Sequence, residues 1–225
     1  MNRLLIFFFF LTSLTTMHAQ INEIGVFLGG ANYIGDVGPT TYIAPNELSF
    51  GILYKWNRSP RHAYRFSYTQ ARITSRDEKS KSEGRLLRDY DFQNSVKELS
   101  LGLEFNFFDF NLHEMKSKFT PYVYTGLSYF FYEDIYSFAG TSKKDGTDTS
   151  MAIPMTVGVK AKLTQSLVMG LEVGTRYTFT DNIDSSNPSD SQHLKFGNLD
   201  SNDWYVFSGF TLTYTFGEKP CYCAD

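Results

Sequence analysis

Cysteine is absent from the body of this 225-residue chain: the two it has, Cys221 and Cys223, flank Tyr222 in the terminal stretch FGEKPCYCAD. No internal disulfide framework can therefore hold the fold. Histidine is nearly as scarce, with four in all. That poverty of His and Cys excludes a zinc-type ligand cluster, and no glycine-rich phosphate loop is present. The formal net charge is −3 with the basic residues scattered, which does not suit nucleic acid. Beyond the first twenty residues no apolar run approaches the roughly 18 residues of a membrane-spanning helix.

The opening MNRLLIFFFFLTSLTTMHAQ has Arg3 in a short basic region, an apolar run from Leu4 to Leu11, and Ala19 before Gln20. It is too short to span and ends on a small residue, so residues 1–19 read as a cleaved export signal. No cysteine follows the apolar run to accept a lipid anchor, so the mature chain is expected to start at about Gln20 outside the cytoplasm.

What the chain has in excess is 21 Phe, 15 Tyr and 17 Gly, falling in alternations of period two. In LVMGLEVGTRYTF (167–179), Leu167, Met169, Leu171, Val173, Thr175, Tyr177 and Phe179 share one face. Val168, Gly170, Glu172, Gly174, Arg176 and Thr178 share the other. WYVFSGFTLTYTF (204–216) repeats the pattern. A greasy face opposite a small or charged one suits a strand with lipid outside and a packed lumen inside.

Eight such strands are expected, at 22–31, 46–56, 61–74, 95–108, 119–132, 151–163, 167–180 and 203–216, each long enough for the roughly 9–11 residues of a tilted spanning strand. The fifth is aromatic on both faces, so period alone does not set its register. Connections one, three, five and seven run to about 14, 20, 18 and 22 residues, while two, four and six are about 4, 10 and 3. The fold class expected is all-β: an eight-stranded antiparallel up-and-down transmembrane barrel, residues 20–216, with a tail at 217–225. Long loops outside and short turns inside put both termini in the periplasm. RDEKSKSEGRLLRD (76–89), TSKKDGTDTS (141–150) and DNIDSSNPSDSQ (181–192) are expected as mobile, water-facing loops.

A barrel of eight strands is just wide enough for its own side chains. The inward candidates Lys55, Arg65, Glu98, Glu104, Lys160, Glu172 and Arg176 mix both signs, as a network of paired charges does; a narrow ion path would call for a ring of one sign. Trp56 and Trp204 stand at strand ends, where interfacial aromatics set depth in the bilayer. An outer-membrane hydrolase would need a nucleophile beside a histidine base. His62, His113 and His193 have no such motif beside them, so neither an enzyme nor a small-molecule substrate or cofactor is expected. Gly29–Gly30 in the first strand marks close backbone approach rather than a ligand loop.

The tail permits three arrangements. Cys221 and Cys223 could bridge each other across one residue, a strained closure; they could offer a weak two-ligand site to a soft metal; or one or both could pair with another periplasmic protein.

EIGVFLGGANYIGDVG (23–38), followed by LSFGILYKWNRSPRHAYRFSYT (48–69), resembles the PorG-type outer-membrane barrels of the type IX secretion system of Bacteroidota. The resemblance covers most of the mature chain, with FLGG-x-NY-x-GD its most specific part. It implies a structural barrel, too small to be the conduit, that holds a periplasmic ring of a lipoprotein and its soluble partner beneath the membrane. It also implies a disulfide from Cys221 or Cys223 to the ring lipoprotein. The partner surface would then comprise Asn57, Arg58, Asn111, His113, Glu114, Lys116 and Tyr222, with outer-membrane lipid around the wall. The alternatives are a stand-alone surface barrel for adhesion or ligand contact, or an outer-membrane lipid hydrolase.

Overall fold

A computed structural model describes residues 21–112, 118–138, 141–187, 195–198 and 200–217. Eight antiparallel strands close into a barrel in sequence order: β1 (Ile21–Ile34), β2 (Glu47–Asn57), β3 (His62–Arg76), β4 (Asp91–Asn106), β5 (Phe119–Phe138), β6 (Thr141–Lys162), β7 (Leu167–Thr178) and β8 (Trp204–Phe216). Closure pairs β1 with β8, from Asn22 opposite Phe216 to Ile34 opposite Trp204. It leaves no unpaired edge, which lipid demands because it supplies no hydrogen bonds.

The register sets the tilt. Stepping between paired residues from Asn32 to Val206, Thr175, Met155, Thr125, Leu103, Tyr64 and Trp56 returns to β1 at Asn22, ten residues before the start. A stagger of that kind inclines the strands by about 35–45° to the barrel axis.

The burial pattern is inside-out relative to a water-soluble protein. Leu28, Phe50, Ile52, Leu101, Leu127, Val157, Leu171, Phe210 and Tyr214 are exposed on the outer wall, whereas Lys55, Glu98, Glu104, Lys160 and Arg176 are buried in the lumen. An apolar exterior around a polar interior is stable in a bilayer and not in water. In β5 the register follows: Tyr122, Tyr124, Phe130 and Tyr132 point inward, Tyr129 and Phe131 outward. Glycine lets neighbouring backbones approach. Gly102 and Gly126 face each other, and a Cβ on Gly126 would lie 2.1 Å from the Leu101 carbonyl oxygen. Gly29 faces Gly209 in the same way.

Three expectations about the loops need correction. TSKKDGTDTS is strand, because β5 and β6 run on as a paired ribbon beyond their neighbours, with a bulge at Asp134/Ile135 and Lys144 Nζ 2.6 Å from Glu133 Oε1. Above the bilayer a strand needs no greasy face, so its alternation loses the signature that reveals the others. Residues 76–89 hold a 3₁₀ turn (Asp77–Lys79) and a short helix, α1 (Glu83–Arg88). In the third, Asp181 through Ser186 are buried rather than water-facing; residues 188–192 lie outside the described part.

Candidate functional site

Strand alternation delivers alternate side chains to the lumen, and there they meet in pairs. Glu104 takes Lys55 at 2.7 Å and Lys160 at 2.5 Å. Arg65 forks onto Glu172 at 2.7 and 2.8 Å, with the Tyr122 hydroxyl donating to the same carboxylate at 2.6 Å. Arg176 faces Glu98 at 3.2 Å, and Glu98 accepts a further bond from Tyr205 at 2.6 Å. Towards the end that carries the chain termini, Glu23 accepts from Asn57 at 2.8 Å and Thr213 at 2.6 Å. Aromatic rings close over the cations, Tyr124 on Arg65 and Phe207 on Arg176.

Buried charges of this kind persist because each has a partner; their attraction roughly offsets the cost of removing them from water. The signs balance within the network, so it forms a cross-braced filling and not a one-sign ring. Above it packs an aromatic and aliphatic cluster that includes Phe27, Ile73, Val96, Phe130, Tyr205 and Phe207. Below it Phe110 and Leu112 fold back from the β4–β5 turn onto Val168, and the Leu112 carbonyl accepts Lys162 Nζ at 2.6 Å.

The opposite mouth is closed by three connections that lock together. Arg88 on α1 grips both oxygens of Asp77, at 2.6 and 2.9 Å, and donates to the Asp36 carbonyl at 2.8 Å while its guanidinium covers the Phe196 ring. Arg85 donates to the carbonyls of Gly35 and Gly38. Asp36 then accepts from the Asn198 amide at 2.9 Å, next to Gly197, whose φ of 82° puts it in the left-handed region. Deeper in, Tyr33 lies within hydrogen-bond reach of Asp184, at 2.6 Å, and of Asp203. The phenol has a single proton, so it donates to one of the two acids at a time. Burial pushes both acids above the usual carboxylate range, and for Asp203 the charge of Asp184 adds to it. Burial, with Asp184 and Asp36 nearby, pushes Asp181 up to about 7.

Among the residues singled out from sequence, Lys55, Arg65, Glu98, Glu104, Lys160, Glu172 and Arg176 come together in the lumen. Asn57, expected on a partner surface, is instead 5% exposed and turned inward to Glu23, because it ends β2 with lumen-facing parity. Arg58 is exposed in the following turn and Asn111 half-buried. Trp56 packs on Tyr64 at one end of the barrel and Trp204 on Tyr177 at the other. His62 is exposed; its partner Ser59 Oγ caps the turn by accepting the Arg61 and His62 amides. His113, Glu114, Lys116, His193, Cys221, Tyr222 and Cys223 lie outside the described residues, as does the segment 1–20. Among the described residues no group of three His, Cys, Asp or Glu side chains is placed to hold a metal. Sequence reasoning missed Arg85, Arg88 and Tyr33, since nothing in a polar stretch marks which arginine reaches back to a carbonyl.

The architecture is that of an outer-membrane β-barrel, and outer-membrane barrels are among the solved structures similar to this chain. They include Ail, the attachment invasion locus protein of Yersinia pestis, solved with the heparin analogue sucrose octasulfate (13% identity, 88% of this chain and 99% of that one, TM-score 0.48). Neisserial surface protein A matches at 11% identity over 88% and 97%, with TM-score 0.48. The N-terminal barrel domain of Pseudomonas aeruginosa OprF matches at 12% over 88% and 98%, with TM-score 0.47. No curated protein matches. A family model does match, from residue 2 to residue 225, and the chain is accordingly a member of the DUF6089 family, described as a domain of unknown function.

Proposed function

We propose that this barrel is a structural subunit of the type IX secretion system, tethering a periplasmic ring of a lipoprotein and its soluble partner to the outer membrane. The observation that carries the reading is the filled lumen under an interlocked mouth, which directs function to the surfaces of the barrel and away from its interior. The resembling motif EIGVFLGGANYIGDVG is largely absorbed by that mouth: Phe27 packs inside, Gly29 admits β8, Tyr33 meets the buried acids and Asp36 accepts the Asn198 amide. The motif therefore explains the shape of the barrel, and the contact with the ring falls to the termini end.

β8 finishes at Phe216, opposite Asn22 near the start of β1, so the last strand ends at the termini end of the barrel. With both termini in the periplasm, Cys221 or Cys223 forms a disulfide with the ring lipoprotein, and Arg58 and Asn111 face it from the turns. Deleting residues 217–225 should release the ring proteins from the barrel in a pull-down from outer-membrane fractions and depress secretion. Retention of both would refute the tether.

A second reading, a stand-alone surface barrel for adhesion, is favoured by the β5–β6 ribbon that stands beyond the rim. Shortening that ribbon should then abolish function while the tail deletion leaves it intact.

A further inference from the structure

The connection from β1 to β2 does not stand up into water along its whole length. Asn32 and Val206 are paired across β1 and β8, and both occupy outward positions by strand parity. Yet Val206 is 2% exposed and Asn32 3%, whereas Phe210, further along the same face, is 57% exposed. The connection covers them. Asn32 Nδ2 donates to the carbonyls of Thr41 and Tyr42, its Oδ1 accepts the Ala44 amide, and Pro45 lies against Gly30 on the outer wall.

Folded down in this way, the connection hangs Tyr42 and Ile43 over the outside of the barrel. Beneath them runs a groove of about 440 Å³ lined by Val123, Met155, Val157, Val173 and Val206, within the roughly 300–1,000 Å³ typical of ligand clefts. Its exposed walls are mainly apolar, with the hydroxyl-bearing Thr125 and Thr175 among them, and it crosses β8, β7, β6 and β5 where the tilt carries a line from Val206 to Val123 towards the termini end of the barrel. Tyr42 and Ile43 themselves remain 70% and 60% exposed, which is unfavourable in water and favourable in hydrocarbon.

We infer that this groove binds one acyl chain of a membrane lipid, clamped between the Tyr42–Ile43 overhang and the outer wall of β5–β8. The occupant follows from position: the groove opens onto the lipid-facing belt and is continuous with it, so the molecules that reach it are bilayer lipids. The inference is independent of any role in secretion.

The test uses tryptophan fluorescence in dodecyl maltoside micelles, where detergent covers the belt. In a Trp56→Phe, Trp204→Phe background, a reporter is placed by Ile43→Trp, with Phe210→Trp as the belt control. Dibromostearoyl phosphatidylcholine is then titrated in. The reporter at 43 should lose emission in a saturable step complete at about one lipid per barrel, while the reporter at 210 should fall only in proportion to the lipid fraction of the micelle. Val173→Phe, which fills the groove, should remove the saturable step; a heat-modifiable gel shift verifies that each variant is folded, and Tyr42→Trp replaces Ile43→Trp if that variant is not. Emission at 43 that tracks the belt control, that ignores the bromolipid, or that still saturates in Val173→Phe would overturn the assignment.

Discussion

Arg65 and Glu172, 107 residues apart in the chain, meet across the lumen through two parallel hydrogen bonds of 2.7 and 2.8 Å. They come from β3 and β7, strands that do not pair with each other. The bond is therefore a brace across the barrel, and its energetics differ from those of a surface ion pair.

Truncating one side leaves the other charge buried. Arg65→Ala or Glu172→Ala should each lower unfolding free energy by about 3–5 kcal/mol. The pair Arg65→Met with Glu172→Leu should recover much of that loss, less the bond stranded on Tyr122. Urea titration of the barrel folded into vesicles checks both; single variants no worse than the double would contradict the bracing role.

Arg88 links α1 to Asp77 and to the Asp36 carbonyl, so Arg88→Ala should free the mouth without unfolding the wall. Cleavage within residues 77–90 by trypsin should become faster, and Lys at this position should rescue little because it cannot reproduce the fork. Unchanged cleavage would show that the mouth closes by other means.

The raised acids make the mouth pH-sensitive in a set direction. Asp181 keeps its proton up to about 7 in the folded chain, whereas an unfolded aspartate loses it near about 3.9. Between those values the folded state binds more protons, so stability falls as pH rises from about 4 to about 7 and levels off above. Asp184 and Asp203 act in the same direction. Thermal unfolding in detergent should show the decline, and Asp181→Asn should reduce its slope; a midpoint that rises with pH across this window would contradict it.

Gly126 sits where a Cβ would meet the backbone of β4. Gly126→Val should force β4 and β5 apart and cut the folded yield, read as the heat-modifiable fraction on a gel, far more than the same change at Gly146, where a Cβ meets nothing within 4 Å.

Much of the barrel was legible in the sequence because lipid outside and side chains inside impose the same period on every spanning strand. Leu167 to Phe179 reads directly as one wall, and Lys55, Arg65, Glu98, Glu104, Lys160, Glu172 and Arg176 fall inward from parity alone. The signal stops at the membrane edge. Thr141 to Ser150 pair as strand in water, where no face needs to be greasy, and so read as a loop. Asp181 to Ser186 look like solvated turn residues and are buried, because their partners Tyr33 and Asn94 arrive from remote strands and Tyr90 from the connection before β4. Asn57 has a polar side chain beside a turn, yet strand parity continues one residue further than the turn chemistry suggests and draws it inside.

The tether to a periplasmic ring is tested most directly by a non-reducing gel of outer-membrane fractions probed for this chain, with and without reductant, alongside Cys221→Ser and Cys223→Ser. A discrete heavier band that reductant removes, lost in one of the two variants and containing the ring lipoprotein, is the result the account predicts. Migration as the free barrel in every lane would contradict it.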